Sequence, residues 1–327
     1  MGDEGDQKKK IAILGVSSIL LVAMVVAVAI GVSNNPTDSG GEGGDKSTST
    51  SNQISTTNKA VKALCAPSVY KDTCASLASP NPRRTPRTRR RSSRQVILAP
   101  GFIAKNMGFE NSAGAVGHQA VAYRSQSDNS VVFNCQFDGY QDTLYPQTYR
   151  QFFRDCVITG TIDFIFGVAR TVLQNCTMIV RKPMDNQQCI VTAEGRQDPN
   201  GDSAIVIMNS HIMGDPAYLP VKDQLKAYLG RPWKEYSRTV IMHTVIDGMI
   251  APEGWLEWQG DLGLKTLYYA EFENTGPGSV QTGRVTWPGV KHIGAADAAN
   301  FAPGKLYVEG DDWITATSVP YTSGMGN

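Results

Sequence analysis

Val131-Val132-Phe133-Asn134-Cys135 is a short apolar run that ends on a polar corner, and the chain returns to this pattern. Phe152-Phe153-Arg154-Asp155-Cys156 and Val172-Leu173-Gln174-Asn175-Cys176 follow at intervals of about twenty residues; Ile205-Val206-Ile207-Met208-Asn209 and Val240-Ile241-Met242-His243-Thr244 come at longer intervals. Short runs bounded by Gly, Asp or Asn and rich in β-branched residues read as strands, and helical periodicity fails on them. A unit this small cannot bury an apolar face alone, so each must cover its neighbour. That makes a solenoid, and the parallel β-helix is the natural architecture for such short repeats. The expectation is an all-β domain over residues 96–327, in which residues remote in sequence line up on one face.

Four peptides outside those runs carry candidate chemistry. Asp142 lies in Tyr140-Gln141-Asp142-Thr143-Leu144 and Asp163 in Asp163-Phe164-Ile165-Phe166-Gly167. Leu229-Gly230-Arg231-Pro232-Trp233 supplies a fixed cation and an aromatic surface, and Gly117-His118-Gln119-Ala120-Val121-Ala122 supplies an amide. Either aspartate alone reads as an Asx-turn or cap. Together with a guanidinium they suggest a hydrolytic pair: the cation favours the ionised form of one carboxyl, while burial and like charge keep the other protonated. Gln119 and Gln141 have a second reading as a ladder of amides satisfying buried backbone, Arg231 as a structural ion-pair partner, and Trp233 as an ordinary packed aromatic. His118, His211, His243 and His292 are scattered without metal-ligand spacing, and no Gly-x-Ser-x-Gly elbow occurs. No cofactor is expected.

The order and spacing of these four peptides resemble those of the pectinesterases, carbohydrate esterases that remove methyl groups from galacturonate in pectin, and the resemblance runs from about Gly101 to Met325. It implies a right-handed parallel β-helix. It also implies Asp163 as the nucleophile that forms an acyl intermediate and Asp142 as the acid and then base. Gln119 and Gln141 become donors to the oxyanion, Arg231 the cation beside the nucleophile, and Trp233 a platform for a sugar ring. The implied partner is methyl-esterified pectin, with a proteinaceous pectinesterase inhibitor as a second partner and a monomeric state. Two other readings stay open. One is an inactive, truncated relative that at most binds pectin; the other is a β-helix lyase or glycosidase that cuts the same polymer.

Composition fits a globular protein with unusual ends. With 31 Lys and Arg against 30 Asp and Glu, the net charge is +1 over 327 residues, which gives no bias toward nucleic acid. Residues 1–10 form a basic tail, and residues 11–32 an uncharged apolar run long enough to span a bilayer core of roughly 30 Å. An uncleaved signal anchor is the first reading and a cleaved signal peptide the second, with the remainder lumenal or extracellular, bound for the cell wall. Residues 33–58 have the composition of a flexible linker. Residues 59–78 resemble the opening of the helical inhibitor-like domain that precedes many plant pectinesterases, and residues 79–95 form a basic, proline-containing junction.

Upstream of Gly101 the family pattern is not found. Its Gly-x-Tyr-x-Glu peptide and a substrate-contacting threonine are missing, and the position expected for that threonine falls near Arg89. The expectation is a β-helix without its first coils. Six cysteines allow many pairings. Cys65 with Cys74 would close a local hairpin, Cys135 with Cys156 would staple successive coils, and Cys176 and Cys189 are left free or paired. Asn175-Cys176-Thr177 is a glycosylation sequon inside an apparent strand.

Overall fold

The structure is a computed structural model that describes residues 95–326, all within one compact unit, Asn81–Asn327. The expected basic tail, membrane span, linker, helical remnant, most of the junction and the Cys65–Cys74 pair lie outside the described residues. Among those described, no helix is long and apolar enough to cross a membrane.

The chain winds as successive three-strand coils. The first is β1 (Gln95–Ile97), β2 (Ile103–Lys105) and β3 (Gly108–Glu110); the second is β4 (Tyr123–Ser125), β5 (Ser130–Phe133) and β6 (Gln136–Asp138). The third is β7 (Leu144–Pro146), β8 (Arg150–Arg154) and β9 (Val157–Gly160), and the fourth β10 (Ile165–Gly167), β11 (Arg170–Gln174) and β12 (Thr177–Val180). The fifth is β13 (Cys189–Glu194), β14 (Ala204–Met208) and β15 (His211–Gly214), and the sixth β16 (Ala227–Gly230), β17 (Arg238–Met242) and β18 (Val245–Ile246). β19 (Tyr268–Phe272) and β20 (Val290–Lys291) extend one sheet further. Equivalent strands of successive coils pair in parallel, giving a first sheet β1-β4-β7-β10-β13-β16, a second β2-β5-β8-β11-β14-β17-β19-β20 and a third β3-β6-β9-β12-β15-β18. The fold is a right-handed parallel β-helix.

All five repeating runs of the sequence fall in the second sheet, and the reason is burial on both faces. Val132, Phe153, Leu173, Ile207 and Ile241 point into the coil interior, while Val131, Phe152, Val172, Val206 and Val240 form a second apolar layer on the outside. That layer is covered by the C-terminal segment, whose short helices Ala295–Ala298, Pro303–Leu306 and Asp312–Thr315 bring down Ala298, Leu306, Tyr307 and Ile314. Tyr307 is fully buried, and its hydroxyl donates to the Gln151 carbonyl at 2.8 Å, so its one polar atom is satisfied. Strands covered on both faces carry apolar residues at successive central positions, which is why they show as short unbroken runs.

The runs end one or two residues earlier than the quoted peptides because the chain turns there. Asn106, Asn134, Asp155, Asn175, Asn209 and His243 occupy the same corner of successive coils, all with φ between 49° and 57°. Asn and Asp tolerate this left-handed conformation better than other side chains bearing a Cβ. Asn175 is therefore an exposed corner residue rather than a strand residue, and its amide donates to Asp155 Oδ1 at 2.6 Å.

The expected Cys135–Cys156 disulfide is absent: both are buried free thiols, as are Cys176 and Cys189. The register explains the correction. Each corner residue is followed by an inward position, and these positions stack as Cys135, Cys156, Cys176, Ser210 and Thr244. Side chains in register on parallel strands have parallel Cα–Cβ vectors about 4.8 Å apart, beyond the usual Cβ separation of a disulfide. The thiols bond to backbone instead: Cys135 and Cys156 each donate to a carbonyl, of Phe133 and Arg154, at 3.3 Å, and Cys176 Sγ also accepts. Cys156 N–H donates to Cys176 Sγ at 3.4 Å, Cys176 N–H to Ser210 Oγ at 3.0 Å, Ser210 N–H to Thr244 Oγ1 at 3.4 Å, and Thr244 N–H to Asn274 Oδ1 at 2.9 Å. Burial pushes the Cys135 and Cys189 thiols up to about 12, so neither is a nucleophile at neutral pH.

Candidate active site

Asp142 and Asp163 occupy equivalent places on successive coils, each two residues before a strand of the first sheet, β7 and β10. Asp142 N–H donates to the Ile162 carbonyl at 3.0 Å and Leu144 N–H to the Phe164 carbonyl at 2.9 Å, which brackets the pair in register. Both carry positive φ, 63° at Asp142 and 49° at Asp163. The backbone turns there from corner to strand, and the turn projects both carboxyls outward from one face, about one strand spacing apart.

Arg231 follows β16 directly, held by its N–H to the Thr192 carbonyl at 3.0 Å. Its Nε and Nη2 donate to the two oxygens of Asp163 at 2.8 and 2.7 Å, a side-on bidentate pair with the Asp163 side chain only 8% exposed. Burial lifts Asp163 above the ordinary carboxylate range, and the guanidinium pulls against that lift. Asp142 has no such partner; burial first, and then the Asp163 charge, push it to about 7, with the Arg231 charge opposing more weakly. Two carboxyls on one face thus have different environments, one clamped by a cation and one held toward the neutral acid.

Gln119 lies in the loop before β4, and Ala120 N–H donates to the Gln141 carbonyl at 3.1 Å, which sets the two glutamines on adjoining coils. Gln119 is exposed and Gln141 half-buried, and neither side-chain amide has a hydrogen-bond partner among the described residues. They are therefore not a ladder of satisfied buried amides. Trp233 packs on Gly195, where a Cβ would come within 2.5 Å of the indole. Glu194, just before that glycine, is buried and ties two turns together: its Oε2 accepts the N–H of Arg196 at 3.0 Å and of Arg238 at 2.7 Å. Burial raises its carboxyl to about 7 against those two bonds.

A row of side chains escaped the sequence reading. Arg124, Tyr145, Phe166 and Ala193 are neighbours across β4, β7, β10 and β13 on the outer face of the first sheet. Tyr145 stacks on Phe166 with centroids 4.2 Å apart, and Phe166 meets Trp233 edge-on at 6.0 Å. Trp258 lies under the Arg231 guanidinium, whose Cζ is 4.3 Å from its ring centre, and Lys234 Nζ is 5.7 Å from the Trp233 ring centre. Tyr145 and Phe166 are each the middle residue of a three-residue strand between two buried neighbours, so alternation puts both rings on the outer face, but only the strand register marks them. Trp258, in a loop far along the chain, had no such marker. The whole makes an open face on which two carboxyls, a fixed cation and flat aromatic surfaces meet, the combination that recognises a sugar polymer and attacks an acyl group.

A family model described as Pectinesterase matches residues 73–311. The chain is 57% identical over 235 residues to the Arabidopsis thaliana protein named probable pectinesterase/pectinesterase inhibitor 21, covering 72% of this chain and 35% of that one. It is 52% identical over 231 residues to a Petunia integrifolia pectinesterase, covering 70% and 62%. Among solved structures, carrot pectin methylesterase superposes with a TM-score of 0.69 at 46% identity, covering 70% of this chain and 72% of that one. The pectin methylesterase of Aspergillus niger gives 0.55 at 30% identity, covering 61% and 62%. The chain spans between 31% and 40% of the length of four Arabidopsis relatives.

Proposed function

The chain belongs to the pectinesterase family, and on that footing we propose that it hydrolyses galacturonate methyl esters in pectin, releasing methanol and free carboxylates. The observation that carries this reading is the bidentate Asp163–Arg231 pair beside an Asp142 pushed to about 7. Asp163, held ionised and oriented by Arg231, adds through one oxygen to the ester carbonyl carbon. The amides of Gln119 and Gln141 donate to the oxyanion that forms, where each donor is worth a few kcal/mol in a dry site. Collapse breaks the bond to the methoxy group, Asp142 gives it a proton, and methanol leaves an acyl group on Asp163. Asp142, now a carboxylate, takes a proton from water, and the hydroxide displaces Asp163 from the acyl carbon. Both aspartates return to their starting states, and the product acid loses its proton to solvent. Trp233, Tyr145 and Phe166 give sugar rings flat surfaces to lie on.

The place of action that follows is the cell wall, reached through the secretory pathway that the apolar run at residues 11–32 suggests. The test is methanol release from highly methylated pectin by the full chain beside its Asp163→Ala variant. Release by the wild type and none by the variant is expected. A folded wild type that binds pectin without releasing methanol would overturn the reading in favour of a binding protein, and shortened oligosaccharides would favour a chain-cleaving enzyme.

A further inference from the structure

We propose that Arg181 is a positioning residue for the acyl-transfer step, holding the turn at residues 139–143 so that the Gln141 amide and the Asp142 carboxyl keep one fixed aim. This rests on the esterase reading of the same face. The turn is entered at Gly139 after β6 and leaves through Asp142, whose φ of 63° is costly for a residue bearing a Cβ. Such a backbone persists only where its surroundings over-determine it.

Arg181 supplies the outer half of that support. It follows β12 directly, and its N–H donates to the Gly160 carbonyl at 2.8 Å, so its backbone is pinned to the end of β9. β12 pairs with β9 and β9 with β6, so the side chain reaches back across two coils to the turn that follows β6. There its Nη1 donates to the Gly139 carbonyl at 3.1 Å and its Nη2 to the Tyr140 hydroxyl at 2.8 Å, while Cζ lies 4.0 Å from the centre of the Tyr140 ring. One planar group thus grips a carbonyl, a phenol oxygen and an aromatic ring on two consecutive residues. Backbone holds the inner side of the same turn. The Tyr140 carbonyl accepts from Thr161 N–H at 2.8 Å, and Gly160 packs so close that a Cβ there would come within 2.8 Å of that carbonyl oxygen. Gln141 and Asp142 follow immediately. No carboxylate pairs with Arg181 among the described residues, so its charge is committed to this turn, and removing it strands no buried anion. Nor does it set the Asp142 proton, which answers to burial and to the charges of Asp163 and Arg231.

The experiment measures kcat, KM and the pH profile of methanol release by the full chain as wild type, Arg181→Met, Arg181→Lys, Tyr140→Phe and the double variant Arg181→Met with Tyr140→Phe. Arg181→Met keeps the stem and loses the grip: kcat is expected to fall about tenfold, short of the roughly 100-fold that a 1 Å misplacement costs, with KM little changed. Arg181→Lys, which reaches one of the two oxygens, is expected to recover part of kcat. In both, the loss of activity through about 7, where Asp142 gives up its proton, is expected at the wild-type pH. Tyr140→Phe is expected to lower kcat in the wild-type background and to cost nothing further beside Arg181→Met, because the two residues act through one contact. An unchanged kcat, a loss that falls on KM, a displaced alkaline limb or additive losses in the double variant overturns the proposal. Should Arg181→Met fail to fold, Arg181→Lys and Tyr140→Phe, each short of one hydrogen bond of the grip, decide it through kcat. Should the wild type release no methanol, the esterase reading fails, and amide hydrogen exchange over residues 139–143 decides the clamp separately. Faster exchange in Arg181→Met confined to that turn supports it, and equal exchange, or a rise spread over the whole third sheet, refutes it.

Discussion

Replacing Arg231 by Gln removes the cation from a carboxyl that is 8% exposed, and its consequence belongs in the pH profile of methanol release. Two charge-assisted hydrogen bonds of 2.8 and 2.7 Å are lost together. At about 1.5 kcal/mol each, the lower end for bonds to charged groups, they amount to roughly 3 kcal/mol of preference for the ionised Asp163, so without them its pKa rises further. The sign follows from the roles. Activity needs Asp163 ionised, so it rises with pH through the Asp163 ionisation; it also needs Asp142 protonated, so it falls through about 7. In Arg231→Gln the rising limb moves up toward the falling one, which also moves up, but by less, because the weaker Arg231 charge no longer opposes the lift of Asp142. The bell narrows, and its height drops as the fraction with both groups correctly protonated falls. Arg231→Lys, retaining charge without the fork, should move the limb by less than Arg231→Gln does. The assay is initial methanol release between pH 4 and 9 at saturating and at low pectin. A variant whose activity falls while its rising limb stays in place would refute the reasoning, because Arg231 would then not be what holds the Asp163 charge.

Glu194→Gln should raise the thermal midpoint at pH 8 and leave it unchanged at pH 4. The folded carboxyl sits at about 7 against an ordinary 4.5, so the folded state keeps its proton longer, and stability falls as pH rises between those values, by about 3 kcal/mol in all; calorimetry at the two pH values checks this. Gly195→Ala would place a Cβ 2.5 Å from the Trp233 indole, so the ring must leave its seat; the expected result is a KM for pectin several-fold higher with little change in melting temperature. The thiols of Cys135, Cys156, Cys176 and Cys189 should resist alkylation in the native protein and all react after denaturation, read by peptide mass spectrometry. A native disulfide between any two of them would sink the ladder described for that corner.

What could be read from the sequence follows from how each part is buried. The second sheet was legible because Val131-Val132-Phe133 and its echoes are covered on both faces. The first and third sheets were not: Tyr123-Arg124-Ser125 and Gln136-Phe137-Asp138 are three-residue strands with mixed surroundings, indistinguishable from loops without the register that stacks them. The same register was invisible in the cysteines. Cys135 and Cys156, one coil apart, look like partners in a linear chain, yet stacking in register keeps their side chains parallel. At the site, Asp142, Asp163, Gln141, Gln119, Arg231 and Trp233 stood out through their peptides. Arg124, Tyr145 and Phe166 did not, because their meaning lies in the row they form across strands remote in sequence.

The equivalence of Asp142 and Asp163 on adjoining coils also separates chemistry from loop variation. Their separation is one repeat of a hydrogen-bonded lattice, fixed by the peptide backbone rather than by any side chain or loop length. The turns at residues 182–188 and 198–202 leave that lattice at its corners, so lengthening or shortening them remodels the surroundings of a bound polymer while the two carboxyls keep their spacing. A scaffold of this kind works as a ruler. New substrate preferences can be built at its edges without retuning the reaction, whereas deleting a single residue between Asp142 and Asp163 would throw the whole mechanism out of register.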